Sequence, residues 1–492
     1  MASQLTGVER RDFWLLCFGQ LLTFCGFFAF FQFPLYIKAV GGTEESVGVI
    51  MGVTSLASTL LLPWITAMSD RMERRAMMLG GIVLVELSTM ATMFTVAPDV
   101  WMALLAVARG LGMAVYMNGA GAYMAQILPP GERSRWIGMN FGFNQVATAL
   151  GPLFAEIAIR QVGFAYFFLL CTAFVYTGML MVLAIHRRAP PPPETRFEPL
   201  ASLTGFLRGL VGPHFRNPFL ALLLMAGALG AVTNFTATYT QTLGLSSGVF
   251  FANYALINAV SRMGGGGLAD RYGRGMVVIP MLLLFGAGLY LYSFTVNTWM
   301  MLVSGLLIGV GFGLSNPALL ALMLDRVPST LHGRAIGSFH FAYQLGFLVM
   351  PPIFGWVAEN FGFRPMWWLA GVLPFAALLV YLTPEGRMPA AAKSEARPKA
   401  GPATPPTPQS AAPAQAPPRA RSAAPAQARP AASPQAQATA HTDVRTAAQR
   451  AAQQAAQRPA GPPKAQRAAP ATAKPGARPT RGQPNPRRGT GS

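Results

Sequence analysis

Three ionisable side chains stand well inside long apolar stretches: Glu86 in MMLGGIVLVELSTM, Arg109 in MALLAVARGLGMAV and Glu156 in LGPLFAEIAI. Placing a charge in hydrocarbon costs at least about 2.5–3.5 kcal/mol on the most lenient scale, so such groups face a cavity, a partner or both. A buried carboxylate balanced between desolvation and a nearby guanidinium exchanges protons near neutral pH. That chemistry makes Glu86 and Glu156 candidates for proton coupling and Arg109 a candidate for tuning them or holding an anionic solute. The competing reading is a static pair.

Uncharged polar residues sit beside them. In 136–159, Asn140, Asn144, Ala147, Gly151 and Ala155 recur at spacings that form one helical face, with Gln145 adjacent. Glu156 lies 120° off that face at 100° per residue, one turn from the helix end. A second such face joins His340, Tyr343 and Gln344, and Asn234 adds polar capacity nearer the middle of the chain. The run FFAFFQFP (27–34) reads as lipid-facing packing, with a substrate cage as the alternative, and Gln32 requires a polar partner. These groups predict a largely neutral cavity for an amphipathic or weakly charged solute.

The elements that must position these residues are membrane spans. The chain of 492 residues is 52% hydrophobic and only 11% charged, against roughly 25% charged in a soluble domain. Twelve segments reach the length of about 20 residues that a bilayer requires: 13–37, 46–68, 76–96, 100–127, 136–159 and 163–185, then 218–242, 248–269, 276–296, 299–324, 335–358 and 363–382. Interior prolines such as Pro152 and Pro351 are tolerated in packed membrane helices. Basic residues crowd the loops on one side, which predicts cytoplasmic termini in an inner membrane with no cleaved leader. The three cysteines lie in apolar runs and imply neither a disulfide framework nor a metal site. Nucleotide-binding, nucleophile-elbow and zinc-protease signatures are missing, so we expect neither an enzyme nor a cofactor.

The net charge of +20 divides unevenly. Residues 384–492 carry 17 basic and 3 acidic groups, a net +14, in an Ala/Pro/Gln-rich stretch that lacks the apolar residues of a core. We expect a disordered cytoplasmic tail able to touch anionic lipid, with no specific nucleic-acid partner. The remainder divides into a first six-helix half (1–186), a linker (187–216) and a second half (217–383). SDRMERR around Asp70 recurs as ADRYGRG around Asp270. Pro129, Gln145, Pro152 and Gly163 reappear 199 residues later as Pro328, Gln344, Pro351 and Gly362. Two parallel six-helix repeats place a solute site between them.

These residues resemble the major facilitator superfamily. The stretch GGLADRYGR from Gly266 to Arg274 matches its loop motif nearly throughout, while the first-half copy keeps Asp70, Arg71 and Arg74 but has Glu73 at a glycine position. The resemblance implies a monomeric all-helical transporter working in a lipid bilayer. It also implies a cytoplasmic latch between the halves made by Asp70, Arg71, Arg74, Asp270, Arg271 and Arg274. Arg109 resembles the family's fourth-helix arginine. Gly138, Gly151 and Pro152 resemble the fifth-helix pattern of proton-coupled antiporters, in which Gly151, Pro152 and Pro351 would serve helix packing and bending. Proton-coupled efflux of a small organic solute is the leading expectation. Proton-coupled uptake is the alternative, followed by a scaffold or receptor acting through the tail.

Overall fold

The computed structural model describes residues 7–129, 132–188, 213–272, 274–325 and 332–382; the 384–492 stretch and most of the 187–216 linker lie outside them. All regular structure there is helical. The first span is α1 (Gly7–Ala29) continued by α2 (Phe33–Ala39) across one 3-10 turn, Phe30–Gln32. The second is α3 (Glu44–Val53) and α4 (Leu56–Arg71), broken at Thr54–Ser55. The third to sixth are α5 (Arg74–Thr92), α6 (Val100–Ile127), α7 (Arg133–Gln161) and α8 (Phe164–Leu183). The seventh to twelfth are α9 (Pro213–Thr242), α10 (Ser247–Tyr272), α11 (Arg274–Tyr292), α12 (Thr298–Asp325), α13 (His332–Phe361) and α14 (Phe363–Leu382).

Ten of these spans are long and apolar enough to cross a bilayer by themselves. The fifth and eighth, α7 and α10, have the length but fall short in hydropathy. The physical reason is their polar load: Asn140, Asn144, Gln145 and Glu156 on one, Asn253, Asn258, Ser261 and Arg262 on the other. These two helices pack against each other across the two halves. A protein partner, rather than lipid, covers the polar faces.

For orientation we call the end holding Gly7 and the Arg71–Arg74 turn the near end, and the opposite one the far end. The far-end turns repeat across the halves. Gly41, Gly163, Gly244 and Gly362 all adopt positive φ, from 66° to 102°, a region that a Cβ makes costly. Helices leaving those turns or loops are capped: Thr43 Oγ1 accepts from Ser46 N at 3.1 Å, Asp99 Oδ1 from Met102 N at 3.0 Å, Ser246 Oγ from Val249 N at 3.2 Å, and Asn297 Oδ1 from Met300 N at 2.9 Å. Each cap satisfies an amide that the helix leaves orphaned.

Packing is equally duplicated. The first span lies on the fifth and sixth and the third on the fourth; the seventh lies on the eleventh and twelfth and the ninth on the tenth. Glycines permit the close approach: a Cβ on Gly112 would sit 2.7 Å from the Gly81 carbonyl, and one on its repeat-mate Gly311 would sit 2.5 Å from Phe285 N. Small residues serve this purpose because lipid supplies no hydrophobic drive between helices.

One buried network fastens the near end of the first half. Asp12, fully buried, accepts from the Tyr123 hydroxyl at 2.9 Å, pairs with His186 Nδ1 at 2.9 Å and has Arg188 at 3.8 Å. It ties the first span to the fourth and to the end of the sixth. Asp12→Asn strips the charge that these groups converge on, and breaking one partner of such a network costs about 3–5 kcal/mol. We expect a thermal midpoint lowered by several degrees in detergent melts; an unchanged midpoint would remove Asp12 from the fold's supports.

Candidate functional site

The two halves meet most closely at the far end, through a polar seam. Glu156, near the end of α7, is 5% exposed and reaches across to the first turn of α10. Its Oε2 accepts from Ser246 Oγ at 2.8 Å, from Ser247 Oγ at 3.3 Å and from the amide of Gly248. Its Oε1 pairs with Arg160 at 2.7 Å, and Arg160 donates on to the Leu245 carbonyl at 3.1 Å. A carboxylate at a helix N-terminus meets both orphaned amides and the positive end of the helix dipole. Gln32 completes the seam: its Nε2 donates to the Pro152 carbonyl at 3.1 Å and to Ser247 Oγ at 2.7 Å, and Ser247 returns a bond to Gln32 Oε1 at 3.0 Å. Gly151 is where α7 presses on the first span, since a Cβ there would lie 2.5 Å from the Cys25 carbonyl.

A second carboxylate repeats this device. Glu359, in the last turns of α13, accepts from the Glu44 amide at the start of α3 at 2.7 Å. The fifth and eleventh spans are repeat-mates, and so are the eighth and second. Each half therefore caps the other's helix with a carboxylate, although Glu359 corresponds by offset to Arg160 and not to Glu156. The helices beside it touch backbone to backbone: a Cβ on Gly48 would overlap the Pro351 carbonyl, and one on Gly355 would lie 2.5 Å from the Glu44 carbonyl. Farther from this end, α13 touches α4 more weakly than α3, and the described link is Gln344 Nε2 donating to Ser58 Oγ.

Arg109 lies on α6 in the first half, about 14 Å from the far end at 1.5 Å per residue. It is 2% exposed, and its guanidinium carbon sits 3.8 Å from the Phe30 ring centre and 5.1 Å from that of Phe33. No carboxylate is within ion-pair distance of it among the described residues, and its Nη1 is buried with no hydrogen-bond partner. Glu86, on α5, faces Thr172 of α8, and its Oε2 is likewise buried and unpartnered. The expected carboxylate–arginine pair is thus not closed in this arrangement; the two groups sit in one half and Glu156 lies in the seam.

Other expectations need correction. FFAFFQFP is not a lipid-facing strip: Phe30 and Phe33 are buried around Arg109, and Phe31 meets Phe251 of the other half at 5.0 Å between ring centres. Gly26, Ala29, Phe30, Phe33 and Ile37 keep one buried face across the 3-10 turn, so it is helix packing, not lipid, that covers these rings. Gln32 belongs to the far-end seam and not to a cavity wall. Asn140 is buried against the first span, its Oδ1 accepting from Cys17 Sγ at 3.4 Å. Asn234 is 4% exposed, and its nearest described polar partner is Thr233 on its own helix, at 3.4 Å. His340 stays exposed, edge-on to Phe339 at 5.7 Å, and Tyr343 stacks on Phe347 at 5.1 Å. Asn144 keeps a buried Oδ1 without a partner, and Gln145 is half-buried.

At the near end, Arg74 is buried and donates to Gln126, and Arg75 donates to the Leu183 carbonyl; both partners are in the same half. Arg71 is exposed. The side chains of Asp70, Asp270, Arg271 and Arg274 lie outside the described residues. Sequence reading missed Ser246, Ser247 and Glu359, although the first two carry the signal of a helix start just before an apolar run.

The model of the Major Facilitator Superfamily matches residues 16–274 and 247–428. The chain is similar to Multidrug resistance protein MdtG of Klebsiella pneumoniae, 26% identical over 405 residues that cover 78% of this chain and 94% of the relative. Its fold is similar to a bacterial homologue of the human lysosomal transporter Spinster in an inward-facing, unoccupied conformation, with TM-score 0.64, 14% identity and coverage of 77% and 97%. It is also similar to the nucleoside transporter NupG, with TM-score 0.60, 12% identity and coverage of 77% and 100%. Two repeat-related six-helix halves, joined by crossed caps at one end and matched by the family model along most of the described length, leave one assignment: the chain belongs to the major facilitator superfamily, as a multi-pass membrane transporter.

Proposed function

We propose that the protein exports small organic solutes from the cytoplasm by alternating access, in exchange for protons. The near end is cytoplasmic in this reading, on the strength of the basic loops, and the far end faces outward. The observation that carries it is the pair of crossed caps at Glu156 and Glu359, which join the halves at the far end, where α13 holds α3 more closely than it holds α4. Alternating access requires such a bistable contact, breakable at one end while the other forms. Likeness over nearly the full length of a multidrug resistance protein supports the efflux direction.

In this mechanism Glu156 and Arg160 act as the outer gate. Arg109 and Glu86 form the coupling pair inside the first half, brought together when the Phe30–Gln32 turn shifts. Asp70, Arg71, Asp270, Arg271 and Arg274 supply the inner latch once the near end closes, with Arg74 held ready by Gln126. Gly151, Pro152 and Pro351 provide the close contacts on which the halves rock. Asn144, Gln145, Tyr343, His340 and Gln344 line the route, and a single copy is sufficient for it.

Proteoliposomes loaded with a fluorescent organic solute and given an inward proton gradient test this directly. We expect the gradient to speed solute release and solute addition to dissipate the gradient. Solute accumulation in the direction of proton flow would make the protein a symporter, and movement indifferent to the gradient would remove proton coupling.

A further inference from the structure

Arg262 stands within the eighth span, and its surroundings are those of a binding group. On α10, Leu256, Val260 and Met263 form an exposed apolar stripe, with Met263 87% exposed. Tyr254, Asn258 and Arg262 recur every fourth residue on the opposite side, the stripe turned toward the interior. Arg262 stacks its guanidinium over Phe141 of α7, 4.4 Å from the ring centre, so a ring from the first half covers one face of a cation from the second. The hydroxyls of Tyr254 and of Tyr343, on α13, lie within electrostatic reach of it. Three helices from both halves converge there, about 22 Å from the far end at 1.5 Å per residue.

Nothing described neutralises this cation. Its Nε is buried without a hydrogen-bond partner, and no carboxylate lies within ion-pair distance of it among the described residues. Asn258 nearby keeps a buried Oδ1 unpartnered while its Nδ2 donates to Tyr254 at 3.3 Å. The repeat does not impose the charge either, since the residue 200 positions earlier is Leu62. A guanidinium in a largely apolar setting, stacked on one face, retains edge N–H donors that match a carboxylate or similar oxyanion bidentately. Arg109 differs, being enclosed by its own half at 2% exposure.

We propose that Arg262 is the anion-recognition residue between the halves, and that the solutes this protein takes are organic anions: an oxyanion for Arg262 with Tyr343 beside it, and an aromatic or apolar body for Phe141. This narrows the neutral-cavity expectation from the sequence and rests on the transporter reading above. Because Phe141 and Arg262 belong to different halves, an anion bound there senses whether the halves have moved apart.

Equilibrium binding isolates this claim from transport. The full chain in nanodiscs is titrated with 1-naphthoate and with the uncharged 1-naphthylmethanol, following tryptophan quenching. We expect the carboxylate to bind at least about tenfold more tightly, the fold-change of a charge-assisted hydrogen bond of about 1.5–3 kcal/mol. Arg262→Gln should erase the preference, with an unshifted melting midpoint reporting an intact fold, and Arg262→Lys should keep part of it. A wild-type protein with no preference for the anion, or a preference that survives Arg262→Gln, overturns the assignment. Flux of neutral solutes without that preference would overturn it and leave the transporter reading standing. The preference and its loss without any flux would do the reverse.

Discussion

Glu156→Gln is expected to open the far end. The carboxylate receives the Ser246 hydroxyl and one amide from the opposite half, shares the Ser247 proton with Gln32, and has Arg160 behind it. Glutamine keeps the shape but loses the charge, and it turns one acceptor into a donor facing N–H and O–H groups. Hydrogen bonds to charged groups contribute about 1.5–3 kcal/mol and a charge at a helix N-terminus up to about 2. A net loss of about 2–3 kcal/mol moves the ratio of far-end-closed to far-end-open molecules by roughly 30- to 140-fold. Spin labels at Gln161 and Gln241, exposed ends of α7 and α9 in opposite halves, would read this as a new long-distance population. Labelling is clean because Cys17, Cys25 and Cys171 are buried. Glu359→Gln should have the same sign through α3 and α13. Superimposable distance distributions for Glu156→Gln and wild type would mean that the seam is ornamental and glycine packing alone holds the halves.

Arg109→Met is expected to make the protein more stable and less useful. The guanidinium costs at least about 2.5–3.5 kcal/mol in hydrocarbon, and an unsatisfied buried donor at Nη1 adds about 1–3. Stacking over Phe30 and Phe33 returns about 2 kcal/mol when desolvated. Methionine fills similar volume against the same rings, where its sulfur also packs well. We therefore expect a stability gain of about 1.5–4.5 kcal/mol, read as a higher melting midpoint with a thiol dye that reports exposure of the buried cysteines. Proton-driven solute movement should fall to background. A variant that is destabilised, or that still couples, would make Arg109 a packing residue and return the coupling role to the carboxylates.

Much of this was legible because it follows from local chemistry. Span lengths follow from hydropathy and bilayer thickness. The repeat is visible in matched positions such as Gly163 and Gly362, whose shared cause proved to be the positive φ of corresponding turns. The polarity of α7 and α10 was readable too, but not its meaning. A helix that carries Asn and Gln on one face requires cover, and hydropathy alone cannot say whether the cover is water, solute or another helix.

Arg109, Glu86 and Glu156 stood out in the sequence by charge alone, because an ionisable group in an apolar run is costly wherever its partners lie. Which partners they have is a tertiary matter. Glu156 was 120° off the polar face of its helix, which weakened it as a cavity residue; the fold turned that direction toward the N-terminus of α10, more than 90 residues away. Phe30 and Phe33 became the bed of Arg109 only when α6 placed its guanidinium over their rings. Arg262 gained significance only when α7 brought Phe141 against it. The sequence by itself determined that there are two six-helix halves and which groups are too polar for lipid. Tertiary structure alone decided which of those groups meet, because contacts between halves depend on helix phase and close backbone approach, which side-chain spacing within one helix does not encode.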